Sequence, residues 1–97
     1  MKTYQITENN ITYDINIHDN YNKIWYLNGK IHREDGPACE CVNGDKFWYK
    51  NGKMHREDGP AVEYASGIKY YWYNGEFLEN INSNEEFKRY IKLLSIS

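Results

Sequence analysis

Two short stretches carry every ingredient of acid–base chemistry side by side: His32-Arg33-Glu34-Asp35 and His55-Arg56-Glu57-Asp58. An imidazole, a cation and two carboxylates could serve a general acid–base site, or hold a metal. Both stretches continue into Gly-Pro-Ala, so the heptapeptide His32–Ala38 returns unchanged as His55–Ala61, 23 residues on. That copying argues against catalysis. A catalytic constellation is needed once and converges from unlike residues, whereas a unit repeated in tandem is a structural device. A metal pair of His32 and His55 is disfavoured because no cysteine falls in register with it. No phosphate-binding Gly loop, Gly-x-Ser-x-Gly or His-Glu-x-x-His motif is present. The expectation is a non-enzyme with no catalytic residue, metal or cofactor. In it, Asp35 and Asp58 accept hydrogen bonds from turn amides. Arg33 and Arg56 pair with Glu34 and Glu57 of the neighbouring repeat as a charge ladder. His32 and His55 stack on aromatic rings.

The elements that position these residues follow the same period. Lys23 recurs as Lys46 and Lys69, Asn28-Gly29-Lys30 as Asn51-Gly52-Lys53 and Asn74-Gly75-Glu76, and Gly44 as Gly67. Each unit opens on a strand-forming run: Ile24–Leu27, Phe47–Lys50, Lys69–Tyr73. Asn-Gly then dictates a type I′ hairpin, whose two central residues need positive φ. Lys30–Arg33 and Lys53–Arg56 return. Asp35-Gly36 and Asp58-Gly59 turn again. Pro37 and Pro60, which cannot donate to a ladder, open the strands Ala38–Val42 and Ala61–Tyr64. The units are residues 23–45, 46–68 and a truncated 69–80.

Residues 1–22 alternate apolar and polar (Tyr4, Ile6; Ile11, Tyr13, Ile15, Ile17) around a turn at Glu8-Asn9-Asn10. That is a β hairpin capping the open end of the array. After Leu78 the motif stops. Ser83 and Glu86 form a capping box, and Phe87, Tyr90, Ile91 and Leu94 one apolar stripe, so a helix over 82–95 seals the other end. The fold class is mainly β: one repeat domain, 1–97, a tandem β-hairpin meander with a C-terminal capping α-helix.

Stacked repeats place equivalent residues in columns: Ile24, Phe47, Tyr70; Trp25, Trp48, Tyr71; Tyr26, Tyr49, Trp72. Strand alternation puts the Trp25 column on the face opposite the other two. Ten Tyr and three Trp in a chain of mean hydropathy −0.91 make rings the main apolar resource. The two caps are too small to cover both faces, so some rings stay exposed. The candidate binding residues are therefore Trp25, Trp48, Tyr71, Tyr26, Tyr49 and Trp72, with His32, His55, Arg33 and Arg56 beside them. Cys39 and Cys41, two apart on one strand, read as small apolar residues and not as a disulfide or a metal pair with His18. A net charge of −2 argues against nucleic acid and anionic membrane as partners. No apolar run reaches the roughly 20 residues of a membrane span, and no signal-peptide pattern is seen, so a cytoplasmic protein is expected.

The pattern Trp-Tyr-x-Asn-Gly-Lys-x-His-Arg-Glu-Asp-Gly-Pro-Ala, followed by a short strand and a Gly turn, resembles the MORN-like repeat variants. These are divergent relatives of the membrane occupation and recognition nexus repeat, common in phage, giant-virus and bacterial proteins. The resemblance covers residues 23–78. It implies a β-hairpin array used as a binding or scaffolding surface, with no shared catalytic set. The abundance of Asn, Ile, Lys and Tyr, all encoded by AT-rich codons, fits such a source. The functional expectation is a non-catalytic binding module: a phage or viral accessory protein that binds a host protein through an aromatic-rich sheet and inhibits or modulates it. Two alternatives stand beside it. One is a protein that binds or sequesters a small nucleotide-like ligand between aromatic and Arg/His walls. The other is a structural homo-oligomer joined through sheet edges.

Overall fold

A computed structural model describes residues 1–96. The chain runs β1 (Lys2–Glu8), β2 (Ile11–Ile17), β3 (Lys23–Leu27), β4 (Lys30–Ile31), β5 (Cys39–Glu40), β6 (Lys46–Phe47), β7 (Tyr49–Lys50), β8 (Lys53–Met54), β9 (Val62–Glu63), β10 (Lys69–Tyr70), β11 (Trp72–Tyr73), β12 (Glu76–Phe77) and α1 (Asn84–Ile96). It is a mainly β, antiparallel hairpin meander with one C-terminal helix. The main sheet has the order β1-β2-β3-β5-β6-β9-β10, with β4 branching from β3, while β7–β8 and β11–β12 are separate hairpins. The molecule is elongated, 41 × 31 × 19 Å, as expected of an array that grows in one direction.

Each of the two full repeats forks at its central aromatic residue. The Trp25 amide donates to the Ala38 carbonyl (2.8 Å), and the Trp25 carbonyl accepts from the His32 amide (3.0 Å). Before Trp25 the edge of β3 pairs with β5; after it, with β4. Trp48 repeats this with Ala61 (2.8 Å) and His55 (2.9 Å). The expected continuous strands Phe47–Lys50 and Lys69–Tyr73 are therefore broken, at Trp48 and at Tyr71. β3 stays whole because β2 pairs along its other edge from Lys23 to Tyr26. The return strands end at Ile31 and Met54, not at Arg33 and Arg56, because His32 and His55 already belong to the fork. Likewise Ala38–Val42 and Ala61–Tyr64 shorten to Cys39–Glu40 and Val62–Glu63, since Cys41 and Tyr64 bond into turns, to Asp45 and Ile68.

The Asn-Gly turns have the positive φ pairs that a type I′ hairpin needs: 52° and 78°, 52° and 80°, 50° and 82°. Each later turn docks on the return strand before it: the Gly52 amide on the Ile31 carbonyl and the Gly75 amide on the Met54 carbonyl, both at 2.9 Å. Tyr13, Ile15, Trp25 and Ala38 form one core cluster, and Tyr71, Leu78 and Phe87 a second. In α1 the capping box is formed: the Glu86 amide donates to Ser83 Oγ (3.2 Å), and Ser83 Oγ reaches the Glu86 carboxylate (3.3 Å). Among the described residues no helix is long and apolar enough to cross a membrane.

Candidate functional site

The His-Arg-Glu-Asp-Gly-Pro-Ala segment is built around its arginine. The Arg33 guanidinium lies over the Trp25 ring, 3.6 Å from its centroid, where ring and cation attract. Its Nη1 donates to the Pro37 carbonyl (3.1 Å) and to Glu40 (2.8 Å). Nε and Nη2 grip both oxygens of Glu8, at 3.0 and 2.7 Å. Trp25 Nε1 donates to the same Glu40 oxygen (3.0 Å). In the second copy Arg56 lies over Trp48 (4.0 Å) and donates to the Pro60 carbonyl (3.0 Å), Glu63 (2.6 Å) and Asp58 (2.8 Å). The expected Arg–Glu34/Glu57 ladder is therefore corrected. The arginine partners are Glu40 and Glu63, because the Gly-Pro turn folds the chain back over the ring. Space favours glycine there: a Cβ on Gly36 would stand 2.9 Å from Arg33 Cζ, so the guanidinium would have to shift, and one on Gly59 3.2 Å from Arg56 Cζ, a tight contact. Asp35 and Asp58 also depart from expectation, bonding Asn9 and Arg56 and not the turn amides.

The histidines latch one repeat to the next. Both are buried. His32 Nδ1 accepts the Asn51 amide and His55 Nδ1 the Asn74 amide, each at 2.9 Å. An N–H donor at Nδ1 requires the lone pair there, which places the ring proton on Nε2. That nitrogen faces Glu34 (2.5 Å) in one copy and Glu57 (3.2 Å) in the other. Tyr13 stacks on His32 (6.5 Å), and Tyr73 lies against His55 (4.5 Å). Leu78 holds the equivalent place in the third repeat, after which no further hairpin needs an acceptor.

The sheet sorts the aromatic columns into inside and outside. Trp25 is 2% exposed and Tyr71 5% exposed, and Trp48 is half-buried beneath Arg56. Of the two candidate columns, that of Trp25, Trp48 and Tyr71 is therefore mostly core. Tyr26, Tyr49 and Trp72 are half-buried. The structure instead joins Phe47, Tyr64, Tyr70, Phe77 and Trp72 into one run of edge-to-face and tilted contacts, with centroids 5.4–6.0 Å apart. Tyr64, Tyr70 and Phe77 are 37–42% exposed, and Ile68 close by in sequence is 53% exposed. Of these, only Trp72 was a candidate on sequence grounds. Phe47 and Tyr70 stood in the column of Ile24, but Tyr64 and Phe77 come from other strands, and no period links them to it.

Arg33, Asp35, Trp48, Lys50, Arg56 and Asp58 line one cleft of about 570 Å³ between the two copies. Its cations are engaged: Arg33 and Arg56 as above, and Lys50 between Glu34 (3.8 Å) and Glu57 (4.0 Å). Four carboxylates share the lining. That leaves little to grip a phosphate, so the geometry does not favour a nucleotide-like ligand. Burial pushes the Cys39 thiol up to about 12, reinforced by Cys41, which favours the neutral thiol over the thiolate. Both cysteines are free thiols. Among the described residues no group of three or more His, Cys, Asp or Glu side chains could hold a metal ion. No protein-family model, curated protein or solved structure matches this chain.

Proposed function

We propose that this chain is a non-catalytic protein-binding module built on a MORN-like hairpin array, and that it modulates a partner protein by docking through the outer aromatic face. The supporting observation is the continuous run Phe47–Tyr64–Tyr70–Phe77–Trp72, with three of its rings more than a third exposed. Monomeric proteins rarely leave large apolar side chains contiguous on the surface without a use. Tyr, Trp and Phe are the side chains that anchor protein interfaces, since they bring large contact area with few rotatable bonds. The bonds of the catalytic-looking tetrads support a non-catalytic reading: their arginines hold the fold-back turns and their histidines hold the next hairpin.

The test uses the intact protein in cells that express it. Capture of its partner is compared for wild type, for the double variant Tyr64→Ser/Phe77→Ser, and for Tyr4→Ser at the far end of the sheet. Loss of the partner with the double variant alone supports the reading. Equal recovery by a folded double variant ends it.

A further inference from the structure

The third repeat keeps the strand of its predecessors but lacks the segment that pairs with it. In the first repeat, Glu40 stands opposite Lys23 and Cys39 opposite Ile24. In the second, Glu63 stands opposite Lys46 and Val62 opposite Phe47. Ala38 and Ala61 complete the contact by accepting the Trp25 and Trp48 amides. One period on, the corresponding residues are Asn84-Glu85-Glu86, which form the first turn of α1. β10 therefore pairs with β9 along one edge only. Lys69 and Tyr70 are exposed, and among the described residues no backbone carbonyl plays for the Tyr71 amide the part of Ala38 or Ala61. Among the described residues no backbone hydrogen bond joins α1 to β10 or to the Tyr71 amide. The helix packs on the ring of Tyr71 through Phe87 (5.1 Å) and on Tyr73 through Tyr90 (6.2 Å).

We propose that the free edge of β10 is a strand-addition site for an extended segment of a partner protein. The segment runs antiparallel to β10, with a small residue opposite Tyr71, an apolar residue opposite Tyr70 and an acidic residue opposite Lys69. The repeats themselves supply the template, Pro-Ala-Cys-Glu and Pro-Ala-Val-Glu, in this register. Charge completes the match. Lys46 lies between Glu40 and Glu63, whereas Lys69 has Glu63 on one side and no strand on the other. Main-chain bonds at such an edge supply affinity, and the alternating side chains supply selectivity. The other long edge of the sheet, β1, reads Lys-Thr-Tyr-Gln-Ile-Thr-Glu and offers no small–apolar–acidic sequence, so a second copy of this chain is the poorer fit. The proposal rests on the protein-binding reading and deepens it: Tyr70 belongs both to the edge and to the aromatic run, so one partner would engage both.

The probe is the peptide acetyl-Gly-Pro-Ala-Val-Glu-Tyr-amide, titrated into the ¹⁵N-labelled full chain. Amide shifts should concentrate on Lys69–Tyr71. Lys69→Glu should weaken binding roughly three- to tenfold, since it replaces an opposite-charge cross-strand pair by a like-charge one. A peptide with Lys in place of its Glu should recover binding to that variant. No change at those amides at peptide concentrations on the order of millimolar, or equal binding by wild type and Lys69→Glu, overturns the proposal. If the peptide fails while Tyr64→Ser/Phe77→Ser still loses partner capture, strand addition falls and the aromatic-face reading stands.

Discussion

The two copies of His-Arg-Glu-Asp-Gly-Pro-Ala are identical in sequence and differently wired. Both arginines lie on a Trp ring and bond a Pro carbonyl and a Glu seven residues on. In the first copy the remaining guanidinium face is taken, in a two-bond grip, by Glu8 of the lead-in hairpin. In the second it turns to its own Asp58, which is 84% exposed. The first arginine thus ties the cap to the array, while the second closes only its own loop. The third position extends the contrast. There Glu79 stands in the arginine's register position, and Phe87 of α1 packs on the Tyr71 ring. A repeat motif sets what each unit can bond, and its neighbour sets what it does bond.

Breaking the arginines should expose this difference most strongly. Arg33→Ala leaves Glu8, Glu40 and the Pro37 carbonyl without their cation, and should destabilise by about 3 kcal/mol. Arg56→Ala, whose partner Asp58 is well solvated, should lose about 1–2 kcal/mol. Urea denaturation measures both; equal losses would refute the assignment of Arg33 as the tie to the cap. The glycines provide a finer test. Gly36→Ala drives a Cβ to 2.9 Å from Arg33 Cζ, where the guanidinium is pinned on three sides, and should cost about 1–2 kcal/mol. Gly59→Ala, at 3.2 Å from a looser guanidinium, should cost less than about 1 kcal/mol. A reversed order in thermal melts would show that the second loop is the more rigid one.

The smallest effect is a pH signature. Hydrogen bonding by Arg33 holds the Glu8 carboxyl below its ordinary value of 4.5. A depressed carboxylate contributes stability above its unfolded pKa and loses it as pH falls through the folded one. Wild type should therefore exceed Glu8→Gln in urea midpoint near neutral pH, with the gap closing as pH drops below 4.5. A constant gap down to strongly acidic pH would mean that the Glu8–Arg33 contact stabilises through packing and not through charge.

Much of the architecture was legible because it is local. The Asn-Gly turns need φ values that only such residues adopt readily, and they appear where the dipeptides stand. The 23-residue period, the lead-in hairpin around Asn9-Asn10 and the Ser83–Glu86 cap were each fixed by neighbours in sequence. The fork at Trp25 and Trp48 was not legible, since a strand that changes partner midway has the same composition as one that does not. The site residues divide the same way. His32 and His55 have the aromatic neighbours expected of them, but their backbone partners lie 19 residues ahead, in a turn whose position depends on stacking.

By itself the sequence determined the repeat, its turns and its caps, because steric φ preferences, capping hydrogen bonds and alternation act over a few residues. Only the tertiary structure decided which rings are core and which are surface, and which carboxylates hold the arginines. Both faces of the sheet carry aromatics, and strand alternation separates the faces without saying which is covered. That was settled by the fold-back of each Gly-Pro loop and by α1, which close over Trp25, Trp48 and Tyr71 and leave Tyr64, Tyr70 and Phe77 facing out.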